Sequence, residues 1–263
     1  MLKPFAPPLY LAALLIALSP VAARAQDCAG SVTLSTQEEV DAFACTTVEF
    51  GLTISGADVV SLDSLSSLTS VGGQLNISDN PSLTNLAGLS SLTSMEGALS
   101  VFNNPSLTNV DGLSSLTSME GDLTINSNGA LTDVGGLSSL TRVGGYLHIS
   151  DNASLTNVDG LSSLTSVGEV SSLMGAWGFL GISGNASLTN VDGLSSLTTV
   201  GGWLDISDNA SLTNVDGLSA LTSMGEFLVI SRNDGLTNVD GLSSLTSVGE
   251  SLHISENASL TNL

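Results

Sequence analysis

"LSSLTSVGGQLNISDNPSLTNLAG", residues 65–88, decides the fold, because the residues that follow repeat it every 24 positions. Repeats open at Leu65, Leu89, Leu113, Leu137, Leu161, Leu194, Leu218 and Leu242, on the frame L-S-S-L-T-S-V-G-G-x-L-x-I-S-x-N-x-S-L-T-N-V-D-G. The fifth is nine residues longer, through an insertion within residues 169–179, "EVSSLMGAWGF". A period of this length means a solenoid, in which each coil buries its apolar face only by stacking on its neighbours.

The spacing inside one repeat assigns inside and outside. The segment x-L-x-I-x alternates, so it is a short strand with Leu75 and Ile77 inward and Gln74 and Asn76 outward. The remaining apolar positions, Leu65, Leu68, Val71, Leu83 and Leu86, come three apart in two groups, which suits short arcs and corners rather than long helices. Gly72 and Gly73 permit a tight approach to the strand. Stacked at strand spacing of about 4.8 Å, the coils would form a rod some 40 Å long. Asn80 recurs as Asn104, Asn128, Asn152, Asn185, Asn209, Asn233 and Asn257. A buried stack of amides at a turn predicts an internal asparagine ladder, each hydrogen bond contributing about 1 kcal/mol. Thr84 and Asn85 recur nearly as regularly and are expected to hold another corner.

The segment before the repeats is different. "STQEEVDAF", residues 35–43, reads as a short amphipathic helix capped by Ser35 or Thr36, with Glu38 or Glu39 three residues on. Val40 and Phe43 would pack onto the first coil. "VEFGLTIS", residues 48–55, reads as the first, irregular strand. Residues 1–25 carry Lys3, an apolar run from Leu9 to Leu18 and Ala23-Arg24-Ala25, the pattern of a secretory signal peptide. That run is too short to span a bilayer, and no second one follows. Cys28 and Cys45, in an exported chain, are expected to form a disulfide. The domain reading is therefore a leader over 1–25, a disulfide-held cap over 26–50 and a solenoid over 51–263, with no C-terminal cap before Leu263. The net charge of −21 falls to −23 without Lys3 and Arg24. Such a surface excludes nucleic acid and anionic membranes as partners.

Cap and repeat together resemble the receptor L-domain family over residues 28–263. This is the leucine-rich-repeat-like solenoid of insulin- and EGF-receptor ectodomains, and the likeness is closer still to secreted and cell-wall proteins of microbes built from the same unit. The frame departs from horseshoe leucine-rich repeats, which want N-x-L where this chain has N-x-x-L. The resemblance implies a mainly β, right-handed solenoid, here of about nine coils with a short capping helix, used for recognition or wall architecture. It brings no ligand with it.

Positions that vary within the frame are free of the scaffold. The outward slot before the strand leucine reads Gln74, Ala98, Asp122, Tyr146, Phe179, Trp203, Phe227, Ser251. Four consecutive coils thus place an aromatic on one exposed face. The next outward slot reads Asn76, Ser100, Thr124, His148, Gly181, Asp205, Val229, His253, so His148, Asp205 and a gap at Gly181 flank the row. The insertion adds Met174 and Trp177 beside the same strand. Of eight aromatics beyond the leader, Phe43 and Phe50 belong to the cap, and Phe102 is the one repeat aromatic off this cluster. An exposed apolar patch of this kind marks an interface, and rings beside His and Asp suit sugars. Stacked rings also stabilise neighbouring strands by roughly 0.5–1 kcal/mol per pair.

Other patterns carry weaker chemistry. Asp111, Asp159, Asp192, Asp216 and Asp240 share a corner column that oxygen-loving Ca²⁺ could use, but Ala87 and Gly135 interrupt it, and solvated turn aspartates are the expectation. Thr93, Thr117 and Thr141, with Ser91, Ser115 and Ser139, form hydroxyl rows of the kind that order water on ice-binding proteins. Of the N-x-S sequons, Asn76 alone lies off the ladder, as the one plausible glycan acceptor. His148 and His253 stand about four coils apart and cannot share a metal or a triad, and no lysine follows Lys3. No catalytic residues, metal or cofactor are expected. The expectation is a secreted, monomeric, non-enzymatic protein. It binds a cell-surface glycan or protein through Tyr146, Phe179, Trp203, Phe227 and Trp177, with His148 and Asp205. The alternative is a structural wall or matrix protein whose aromatics only join strands.

Overall fold

The computed structural model describes residues 26–171 and 175–261, and side chains outside 169–177. The leader, Met174 and Leu263 lie outside the described residues, as does the side chain of Trp177. Each coil contributes one strand to each of two parallel sheets, ten strands apiece, whose members follow one another in coil order. The major sheet holds the x-L-x-I-S strands, such as Leu75–Ser78, Leu147–Ser150, Phe179–Ser183, Trp203–Ser207 and Phe227–Ser231. The minor sheet holds two-residue strands such as Ser70–Val71 and Thr199–Val200. Short 3-10 turns, from Asp63–Leu65 to Asp240–Leu242, form the third side. This is the mainly β solenoid that the repeat predicts.

Register follows from the fixed period. Leu147 faces Leu180 and Leu204 faces Leu228, so each sequence column becomes a spatial row. The inward row of Leu75, Ile77, Leu65, Leu68, Val71, Leu83 and Leu86 is fully buried or within 1% of it, and its counterparts through Leu236 are all buried. Apolar burial at about 25 cal/mol per Å² is the main force holding coil to coil.

The asparagine ladder is present as expected. Asn152 Oδ1 accepts from the backbone N–H of Asn128 at 3.0 Å and from its Nδ2 at 3.3 Å. Asn152 Nδ2 in turn donates to Ile125 O at 3.0 Å, and its N–H donates to Asn185 Oδ1 at 3.0 Å. Asn85-type residues hold the other corner: Asn157 Oδ1 accepts from Asp159 N–H at 3.1 Å. The residue before each ladder asparagine is left-handed, with φ near +55° at Asp79, Asn103, Ser127, Asp151, Asp208, Arg232 and Glu256. This turn aims the amide inward, and for L-residues it costs roughly 1–2 kcal/mol apiece.

Three expectations need correction. The cap is shorter in helix and richer in strand: the helix is Gln37–Asp41, while Gln26–Cys28 and Val32–Leu34 add a further coil to the two sheets. Residues 48–55 hold not one irregular strand but the end of Cys45–Val48 in the minor sheet, a corner at Glu49–Gly51 and the strand Leu52–Ile54 in the major sheet, because the chain must turn there to keep Val48 and Leu52 both inward. The threonine rows are not free hydroxyl arrays. Thr141 Oγ1 donates to Thr117 O at 3.0 Å and Thr165 Oγ1 to Thr141 O at 3.0 Å, so these donors serve the stack rather than water. Elsewhere the cap behaves as read. Thr36 caps the helix, its Oγ1 accepting from Glu39 N–H at 3.2 Å, and Glu39 accepts from Ser35 N–H at 2.6 Å. Val40 and Phe43 are buried, and the Cys28–Cys45 disulfide ties the first two minor strands.

The insertion leaves the coil without disturbing it. Glu169–Ser171 and Gly175–Trp177 form a separate antiparallel hairpin, with Glu169 opposite Trp177. A Cβ placed on Gly178 would lie 2.6 Å from Gly168 Cα, so the hairpin joins the coil at a narrow neck between two glycines.

Candidate ligand-binding face

The major sheet turns its outward slots to one side, and the aromatic row lies there across four adjacent strands. Phe179 pairs with Trp203 in register, and Trp203–Ser207 pairs with Phe227–Ser231. The rings do not stack as four equals. Tyr146 meets Phe179 edge to face at 6.3 Å and 88°, and Trp203 meets Phe227 at 4.8 Å and 73°. In each couple the ring with a polar atom is the exposed one, Tyr146 at 43% and Trp203 at 46%, and the phenylalanine is half-buried against it. Edge-to-face contact puts a positive ring edge on a negative ring face and adds about 0.5–1.5 kcal/mol per pair beyond area burial.

Carboxylates from neighbouring coils bond both exposed residues, Trp203 at its ring and Tyr146 at its backbone. Trp203 Nε1–H donates to the Glu226 carboxylate. The backbone N–H of Tyr146 donates to Asp122 Oδ1 at 2.8 Å. Glu226 takes the place of the second glycine of the frame, so its role was readable only as a deviation from that glycine.

The gap at Gly181 is filled. A Cβ built there would come within 2.5 Å of Phe179 Cε1 and Cζ and 2.8 Å of His148 Cδ2. Phe179 therefore folds its ring onto the glycine, 5.6 Å from the His148 ring. Gly181 lies between His148 on one strand and Asp205 on the next, so the phenylalanine occupies the space between these two groups.

Burial sets the charge state of both flanks. His148 is held below the usual imidazole value, mainly by desolvation, with Asp151 and Asp205 opposing. Asp205 is pushed above the usual carboxylate value by desolvation, against a Ser207 hydrogen bond and the Arg232 charge. Its Oδ1 is covered and lacks a hydrogen-bond partner. Arg232 grips Asp208 through Nε at 2.6 Å and Nη2 at 2.7 Å, which lowers the Asp208 carboxyl.

The structure thus brings Tyr146, Phe179, Trp203, Phe227, His148 and Asp205 onto one face. His253 stands apart from His148, four strands along, bonded to Ser251 at 3.1 Å. Asp122, Asp151, Asp208, Glu226 and Arg232 border the face and were not singled out in the sequence. The signal for three of them is the varying residue before each ladder asparagine. The corner aspartates Asp111 to Asp240 are exposed at the starts of 3-10 turns. Among the described residues no group of three or more His, Cys, Asp or Glu is arranged to hold a metal ion. None of the described helices is long and apolar enough to cross a membrane.

Residues 44–132 match the family model described as Receptor L domain. No curated protein matches the chain. The matched segment ends ahead of Tyr146, and the sheets that run through it continue in register through the aromatic row.

Proposed function

We propose that the chain is an extracellular recognition or adhesion protein, because residues 44–132 match the family model described as Receptor L domain, a ligand-binding and non-enzymatic domain type found outside the cell. It binds a glycan or a protein as a monomer, through the major-sheet face carrying Tyr146, Phe179, Trp203 and Phe227. His148 and Asp205 flank the contact, and Trp177 of the hairpin borders it. The observation that carries this reading is the exposure of Trp203 and Tyr146 on the outer face of the major sheet, each backed by a half-buried phenylalanine. A ring braced in this way offers contact area at little cost in side-chain entropy.

The test is the double variant Trp203→Ala with Phe179→Ala, measured on glycan arrays and on cell surfaces, with circular dichroism to confirm the coil. The expected outcome is a loss of binding of roughly 5- to 30-fold, given 1–2 kcal/mol for the rings removed. Undiminished binding would falsify the reading. The edge-to-face couples also favour a second reading, in which the rings only join strands of a wall or matrix protein. In that case the double variant melts earlier and no partner is lost.

A further inference from the structure

The same face has a charge as well as a shape. Asp122, Asp151, Asp205, Asp208 and Glu226 border the ring row. The two arginines of residues 26–263 are both bound to carboxylates, Arg232 to Asp208 at 2.6 Å and Arg142 to Glu120 at 3.3 Å. No lysine occurs in that span. His148 adds no positive charge at neutral pH, because burial keeps it deprotonated. The face therefore pairs exposed aromatic rings with an excess of carboxylates and no free cation of its own.

We propose that this face binds a basic polypeptide segment, with lysine or arginine side chains laid on Trp203 and Tyr146 and their charged ends against Asp151, Asp205 and Glu226. This rests on the ligand-binding reading above and names the class of ligand. Cations are drawn to the faces of Trp and Tyr, and arginine also matches a carboxylate with two parallel N–H donors. Trp203 and Asp205 are two residues apart on one strand face, a separation of about 6.6 Å that one arginine side chain spans. A neutral sugar would stack on the rings and donate hydroxyl hydrogen bonds to the carboxylates, but it carries no positive charge to offset theirs. An anionic polymer would be repelled by the whole surface.

The experiment is isothermal titration of the disulfide-intact chain with three probes: decaarginine, a Gly-Ser decapeptide and cellohexaose. Variants are Trp203→Ala, Trp203→Phe in case the alanine variant misfolds, and Asp205→Asn with Glu226→Gln. Asp192→Asn with Asp216→Asn serves as control, removing the same charge from the 3-10 turns. Decaarginine is expected to bind the native chain, and the Trp203→Ala and the Asp205/Glu226 variants to weaken it roughly tenfold each. The control pair should change binding less than about twofold. Equal weakening by both acid pairs would mean attraction to overall charge alone and would overturn the proposal. So would the absence of decaarginine binding. If cellohexaose binds in a Trp203-dependent manner and decaarginine does not, the basic ligand is wrong while recognition on this face stands. If no probe and no cell-surface binding responds to Trp203, both fall.

Discussion

Asn152 carries the most structural weight per atom of any polar residue in its coil. Its amide accepts two hydrogen bonds from Asn128 and donates to Ile125 O, all out of solvent. Asn152→Ala should cost about 2–4 kcal/mol in chemical denaturation, because it strands buried donors of Asn128 and the Ile125 carbonyl. Asn152→Asp should cost more at neutral pH, since a carboxylate replaces the donor to Ile125 O, and should recover partly in acid. On the outward side, His148 has a different pH behaviour. Its folded-state value lies below the ordinary 6.5, so the unfolded chain takes up the proton first as pH falls. The contribution of His148 to stability is therefore fully present above about pH 6.5 and is lost as pH falls below it. His148→Gln should remove this part of the acid-side loss, narrowing the drop in melting temperature between pH 7.5 and pH 5. An unchanged drop would mean that the imidazole is not desolvated.

At the scale of elements, the hairpin of the fifth repeat is separable from the coil that bears it. Excising residues 169–177 joins Gly168 to Gly178 and restores V-G-G-F-L, the regular frame. The two glycines already touch across the neck, so the closure needs little movement. The excised protein should melt within a few degrees of the native one by circular dichroism, because loop length changes closure entropy only weakly. A collapse of stability would show that the hairpin supports the Phe179 strand. The αL column is the other element-level feature, since it turns every strand into its ladder asparagine. It tolerates Asp, Asn, Ser, Arg and Glu because the geometry repeats in each coil and each ladder asparagine's hydrogen bonds offset the strain.

The whole molecule is a stack whose parts touch mainly their neighbours, so its stability is close to a sum of coil and interface contributions rather than one two-state quantity. The N-terminal end is closed by the helix Gln37–Asp41, whose Gln37 Nε2 donates to Ser61 O at 3.1 Å, and by the Cys28–Cys45 disulfide. Reduction opens a loop of 17 residues and should cost about 3 kcal/mol. Hydrogen exchange after reduction should rise in residues 26–54 and stay unchanged in the coils around Trp203. Uniform loss of protection along the rod would contradict the one-dimensional picture. Ligand binding at the aromatic row should likewise survive reduction, since many coils separate the two regions.

The architecture is legible in the repeat alone. A 24-residue period stacks each column into a row, so inward leucines, ladder amides and outward rings could all be placed from spacing alone. It also located the face, because residues that vary against a fixed frame are those the frame does not need. Side-chain contacts, most of them between one coil and the next, are not legible there, because they depend on packing in three dimensions. Gly136 is required because a Cβ there would sit 1.9 Å from Val110 O, a clash that no local pattern announces. The division of four rings into two edge-to-face couples, the folding of Phe179 onto Gly181 and the bond from Trp203 to Glu226 belong to the same class. The ring couples and the Trp203 bond depend on side-chain rotamers chosen against a neighbour 23 to 33 residues away in the chain, and the Phe179 rotamer on the missing side chain two residues along its own strand. Periodicity fixes where those neighbours stand, and packing alone fixes how they meet.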